Sequence, residues 1–111
     1  MKYVLMIRYD SEAPEHVRRA QNEAGCGGWV EEMTARGVLE QCVGLDPSGE
    51  ATMVRVRDEV LIADGPFAET KDQIGGINLI EAANLEEAVR IAAEHPSARY
   101  GMIEIRPVYS P

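Results

Sequence analysis

Asp64-Gly65-Pro66-Phe67-Ala68-Glu69-Thr70-Lys71 stands between two apolar runs, Val60-Leu61-Ile62-Ala63 before it and a second one behind Gly75-Gly76. Asp-Gly and Gly-Pro are turn dipeptides: glycine accepts a left-handed backbone and proline removes a donor while presetting φ. The chain therefore reverses here, between one strand and the next. The same turn gathers two carboxylates, a hydroxyl, an ammonium and the only phenylalanine of the chain.

Upstream, Thr52-Met53-Val54-Arg55-Val56-Arg57 alternates apolar and polar residues and predicts a strand. Asp58-Glu59 turns it into Val60–Ala63, so the two form a hairpin whose turn lacks the usual glycine. Further back, Val38–Leu45 reads as a strand closed by Asp46-Pro47-Ser48-Gly49. Pro14–Arg36 is helical in composition, but its apolar stripe changes face at Gly25, Gly27 and Gly28. This predicts a short first helix, then a longer one from about Asn22 to Arg36, stopped by Gly37. Tyr3–Tyr9 is the first strand. Downstream of the turn, Ile74–Ala82 is a strand. Asn84 with Glu87 is a capping-box start, and Leu85, Ala88, Val89, Ala92 and Ala93 form the apolar face of the helix it opens. His95-Pro96 ends that helix, and Met102–Val108 is the last strand. The order is β-α-β-(hairpin)-β-α-β, which predicts an α+β, ferredoxin-like βαββαβ fold with an inserted β-hairpin.

Two helices cover one face of a four-stranded sheet. Ile103 and Ile105 suit the helix side, as do Ile77 and Leu79. The other face would then carry Val4, Met6, Arg8, Ile74, Gly76, Asn78, Ile80, Met102, Glu104 and Arg106. Its mixture of apolar and charged residues predicts a surface covered by a second subunit, enclosing a partly polar cavity.

Length and composition set bounds. A chain of 111 residues is expected to be one domain, spanning residues 1–111. It buries about 65% of its unfolded surface, enough for one core. A net charge of −8 argues against direct binding to nucleic acid or anionic membranes, because phosphate recognition rests on Lys and Arg. The N-terminal apolar run reaches Arg8 without a cleavage site, and no stretch has the length of a membrane span. Cys26 and Cys42 have no metal-type spacing and read as free thiols used as small apolar residues in a cytoplasmic protein.

Asp64 is the candidate catalytic residue. A carboxylate at a strand end beside Phe67 and near Gly76 is raised toward a useful pKa if desolvated. Its structural alternative is to lock the turn by accepting backbone N–H groups. Gly65, Pro66, Phe67, Glu69, Thr70, Lys71 and Gly76 are candidate ligand-binding residues around it, with Lys71 facing an anionic group. Arg8, Asn78, Glu104 and Arg106 are candidates on the second sheet face. His16 reads as exposed, and His95 as a charged imidazole at a helix end. Neither has a metal-ligand partner, so no metal and no cofactor is expected. No phosphate loop, Ser-His-Asp set or dinucleotide fingerprint is present.

The octapeptide Asp64–Lys71, with Gly75-Gly76 behind it, resembles the signature of the DGPF proteins within the YCII-related family. Supporting pieces are Met1-Lys2-Tyr3, Gly37-Val38-Leu39, Thr52–Arg57, Leu85-Glu86-Glu87-Ala88 and Ile103–Val108. The resemblance implies a dimeric α/β barrel, in which two ferredoxin-like sheets pack through the second face of each. Some members carry a histidine in the middle of the first long helix, which with an aspartate suggested an enzymatic role. The matching stretch here, Ala24–Gly28, has no histidine, so that pair is not carried over. Two functions follow. One is a cofactor-free protein binding a small molecule in a homodimer, with proton-transfer chemistry of the elimination or isomerisation type at the Asp64–Lys71 loop. The other is a non-catalytic regulatory module, because DGPF-type domains occur fused to sigma-70-like transcription factors.

Overall fold

The computed structural model describes residues 1–10, 12–46, 50–65 and 72–110. Of the Asp64–Lys71 turn, Asp64 and Gly65 fall within these residues; Pro66, Phe67, Glu69, Thr70 and Lys71 lie outside them. The strands are β1 (Lys2–Asp10), β2 (Leu39–Gly44), β3 (Ala51–Arg57), β4 (Glu59–Gly65), β5 (Asp72–Glu81) and β6 (Met102–Pro107). The helices are α1 (Glu15–Ala24), α2 (Trp29–Ala35), α3 (Leu85–Ala93) and α4 (Ser97–Tyr100). Four strands form an antiparallel sheet in the order β2-β5-β1-β6, and β3 pairs with β4 in a separate ribbon. With the ribbon set aside, this is the ferredoxin-like strand order. The α+β fold is the one the element pattern predicts.

Tyr3, Leu5 and Ile7 of β1 point into the helix layer and are buried; Val4, Met6 and Arg8 between them are only partly covered. Leu5, Met33, Ile80 and Ile91 are the largest fully buried side chains, with Tyr3, Trp29, Ala82, Ala88 and Ala92 around them. Asn84 starts α3 as expected: its side chain accepts the Glu87 N–H at 2.9 Å, and Glu87 Oε2 accepts the Ala83 N–H at 3.3 Å.

Three expectations are corrected. The first is the facing of β5. Antiparallel pairing sets Leu5 opposite Asn78, Tyr3 opposite Ile80 and Ile7 opposite Gly76, and directly opposed residues share a face. Ile80, Asn78 and Gly76 therefore face the helices, and Ile77 and Leu79 the open side. β5 is apolar on both faces, so its own pattern does not choose between them. A bulge follows Ile7, and Arg8 pairs with Ile74 on the open face.

The second correction is the helical region. α1 runs to Ala24, and Gly25, Gly27 and Gly28 take φ of 52°, 53° and 82°, which end the helix and leave α2 with seven residues. The third is α3: Ala88, Ile91 and Ala92 are its buried residues, while Leu85 and Val89 are exposed. The stripe follows i, i+3, i+4 from Ala88 rather than from Leu85.

Gly101 joins α4 to β6. A Cβ there would fall onto the carbonyl oxygen of Arg8, whereas one on Gly44 would meet nothing within 4 Å. Gly101→Ala is expected to lower stability by about 2 kcal/mol or more through overpacking against backbone. Gly44→Ala is expected to change it by less than about 1 kcal/mol. Urea midpoints of the two variants check this; equal midpoints would refute the steric account.

Candidate functional site

The helix layer leaves part of its side of the sheet uncovered. α1 buries none of its residues, and the glycine loop after it carries little side-chain bulk. Gly44 and Gly76, opposed across β2 and β5, put no side chain into the space above them. The result is a cleft of about 700 Å³ between the sheet and α1. Ile7, Tyr9, Cys42 and Asn78 line it from the strands; Asn22 and Cys26 line it from the helical side.

Asn78 lies at the floor, 3% exposed, opposite Leu5 on one neighbouring strand and Cys42 on the other. Its Oδ1 is buried and has no hydrogen-bond partner among the described residues. Such an atom carries an unrecovered desolvation cost, which a ligand donor can offset. His95, also 3% exposed, forms part of the wall. Its Nδ1 accepts the Ser97 N–H at 3.0 Å. A backbone nitrogen can only donate here, so the neutral ring carries its proton on Nε2. The ring meets the Trp29 indole edge-on, with centroids 4.9 Å apart at 64°. The indole is held in turn by donating from Nε1 to the Ile91 carbonyl at 3.0 Å. Burial pushes the His95 pKa below its ordinary value, so the imidazole is neutral at pH 7. The charged helix-end role read from the sequence is thereby corrected.

The two cysteines, sixteen residues apart in sequence, reach the same cleft. Both are free thiols, as expected, but they are exposed, which corrects their reading as small apolar residues. Partial burial of the Cys26 thiol pushes its pKa up, with further contributions from Cys42 and Glu31. The cleft thus offers one orphan acceptor, one neutral imidazole and thiols, while Arg18 and Asp46 also line it. Among the described residues, no group of three or more His, Cys, Asp or Glu is placed to hold a metal. No helix among them is long and apolar enough to cross a membrane.

The residues singled out from the sequence separate into three places. Gly76 and Asn78 line the cleft. Arg8, Glu104 and Arg106 lie on the opposite face, where Arg8 Nε meets Glu104 Oε1 at 2.8 Å and Arg106 Nη1 lies 3.9 Å from Glu104 Oε2. Asn78, grouped with them by strand parity, is separated from them by the β5 register. Asp64 is exposed on the ribbon, paired with Thr52, and does not line the cleft; Gly65 ends β4 opposite Ala51. His95, Cys26 and Cys42 were missed as site residues. A local signal existed for two of them: Cys26 stands between Gly25 and Gly27 and His95 precedes Pro96, where the backbone bends, whereas Cys42 sits within β2 with no such mark.

Comparison with known proteins agrees with the fold. The family model of the YCII-related domain matches residues 1–110. An uncharacterised protein of Rhizobium meliloti (strain 1021) is 42% identical over 60 residues, covering 52% of this chain and 48% of that protein. The match thus spans about half the length of that curated relative. Among solved structures, 5-chloro-2-hydroxyhydroquinone dehydrochlorinase from Burkholderia phenoliruptrix AC1100, in complex with 2,5-dihydroxybenzoquinone, is similar with a TM-score of 0.52 at 16% identity. The similarity covers 100% of this chain and 96% of that one. At that identity it speaks to the fold.

The lowered pKa of His95 makes stability depend on pH with a definite sign. Well above 6.5 the ring is neutral in both folded and unfolded chains. As pH falls through 6.5, the unfolded chain takes up a proton that the folded chain resists, so stability drops. His95→Asn keeps an acceptor for the Ser97 N–H and removes the titration. Between about pH 8 and pH 5.5, the denaturant midpoint of the wild type is expected to fall more steeply than that of His95→Asn. Parallel curves would show that burial of this ring carries no such linkage.

Proposed function

The chain belongs to the YCII-related family, and from that premise we propose that it binds a small oxygenated ring compound in the cleft between α1 and the sheet. The observation carrying this reading is the buried, unpartnered Oδ1 of Asn78 at the floor of a 700 Å³ cleft. A ligand hydroxyl donates to that oxygen. A ligand carbonyl accepts from the Nε2–H of neutral His95, which leaves a polarised C=O in a desolvated place. Ile7 and Tyr9 give the ring apolar surface. The similar fold of the dehydrochlorinase, solved with 2,5-dihydroxybenzoquinone, supports a compact hydroxylated quinone or phenol as the ligand class. His95 acts here as a donor and not as a base, because its Nδ1 lone pair is engaged by Ser97. The floor therefore fits binding and carbonyl polarisation, with proton removal left to a group outside it.

We propose further that the protein is a homodimer joined through the open sheet face. Val4, Met6, Val43, Ile77 and Met102 lie there around the Arg8–Glu104 ion pair, and Val43, Ile77 and Met102 are exposed in the single chain. This pairing leaves the clefts on the outer sides of the two sheets, each open to its own ligand.

Trp29 is the only tryptophan and touches His95, so its fluorescence reports on the cleft. Titration with 2,5-dihydroxybenzoquinone is expected to quench it saturably. Asn78→Leu removes the orphan acceptor at similar volume. It is expected to weaken binding by about tenfold, one hydrogen bond, while the denaturant midpoint stays equal or rises. Linear, non-saturating quenching in the wild type would refute the ligand class. Unchanged affinity in Asn78→Leu would refute the site.

A further inference from the structure

The β3–β4 ribbon stands apart from the core. None of its residues belongs to the buried cluster, and its own cross-strand pairing accounts for its order. Val54 pairs with Ile62 and Val56 with Val60, so these four side chains share one face. They are 64%, 69%, 63% and 61% exposed. The other face carries Arg55, Arg57 and Glu59 with Met53 and Leu61. The ribbon is thus amphipathic, and the four apolar side chains of that face stay mostly exposed. A two-stranded ribbon left alone in water is marginal.

From this we infer that the apolar face of the β3–β4 ribbon is covered by a second copy of this chain, within the dimer whose sheet faces meet. The inference rests on that proposed dimer and extends it. Surface area argues for the occupant. A compact protein of 12.2 kDa exposes about 6,100 Å² by the usual scaling, and this chain exposes 7802 Å². The difference, about 1,700 Å², is roughly twice the 800 Å² that one partner contributes to an ordinary interface. Its radius of gyration is 15.6 Å, against about 13 Å for a compact chain of this length. A dimer using the sheet face alone leaves the ribbon bare. Under two-fold symmetry each copy offers the same two surfaces, so one isologous interface covers both, reciprocally, and no apolar patch is left over. The four apolar side chains add no charge between two copies that each carry a net charge of −8, and the carboxylate of that face, Asp64 opposite Thr52, stands beyond them toward the end of the ribbon.

The test uses the full chain and sedimentation equilibrium. Val54→Glu with Ile62→Lys replaces one cross-strand apolar pair by an opposite-charge pair, which keeps the ribbon's pairing. Val56→Thr with Val60→Thr keeps β-forming side chains and removes apolar surface. Both are expected to raise the dimer dissociation constant at least 100-fold with the circular dichroism spectrum unchanged. Ile77→Lys, on the sheet face, is the independent probe of the underlying dimer. Dissociation by Ile77→Lys with no change in either ribbon variant would overturn the ribbon inference and leave the sheet-face dimer standing. A wild type that stays monomeric up to millimolar concentration would overturn both.

Discussion

The buried hydrogen bond from Trp29 Nε1 to the carbonyl of Ile91, 3.0 Å long, holds the helix layer together. It joins α2 to α3 through two residues that are sixty-two positions apart in the chain. A buried indole N–H needs an acceptor, and a carbonyl in the last turn of a helix has capacity to spare. Ile91 uses both its lone pairs, accepting the Glu94 N–H at 3.3 Å as well. The indole edge then fixes His95, and His95 Nδ1 accepts the Ser97 N–H where α4 begins. α4 in turn packs against α1. One side chain therefore sets the spacing of the helices and the pose of the imidazole in the cleft.

The cleft itself results from missing bulk. Three glycines with left-handed φ end α1 early, and Gly44 with Gly76 removes side chains from the sheet below. Into this hollow the β5 register turns Asn78, a residue whose carbonyl oxygen has no partner among the described residues. A core optimised for stability alone would place an apolar residue there. The retained polar atom, in the same cleft as His95, is the feature on which the proposed ligand binding rests.

The two faces of the sheet have different logic. One is filled by the helices except at the cleft. The other shows aliphatic side chains around the Arg8–Glu104 pair, and the ribbon adds a second apolar surface of its own. Both follow from placing four strands and a hairpin in a chain with helices enough for a single layer.

The order of elements was legible in the sequence, because it rests on local chemistry. Asn84 with Glu87 marks a helix start, Gly37 a helix stop, and the alternation of Thr52–Arg57 a strand. The octapeptide Asp64–Lys71 pointed to the YCII-related family, and the match of that family over residues 1–110 bears this out. The facing of β5 was not legible. Ile77 and Leu79 are as apolar as Ile80, and only pairing with β1 decides that Ile80 meets the helices while the other two face away. The cleft was hidden for the same reason. Asn78, His95, Cys26 and Cys42 lie far apart along the chain, and no local pattern joins them. Turns and helix caps are decided by neighbours a few residues away, so sequence determines them. Faces, registers and hollows are decided by distant segments packing together, so the tertiary structure alone settles them.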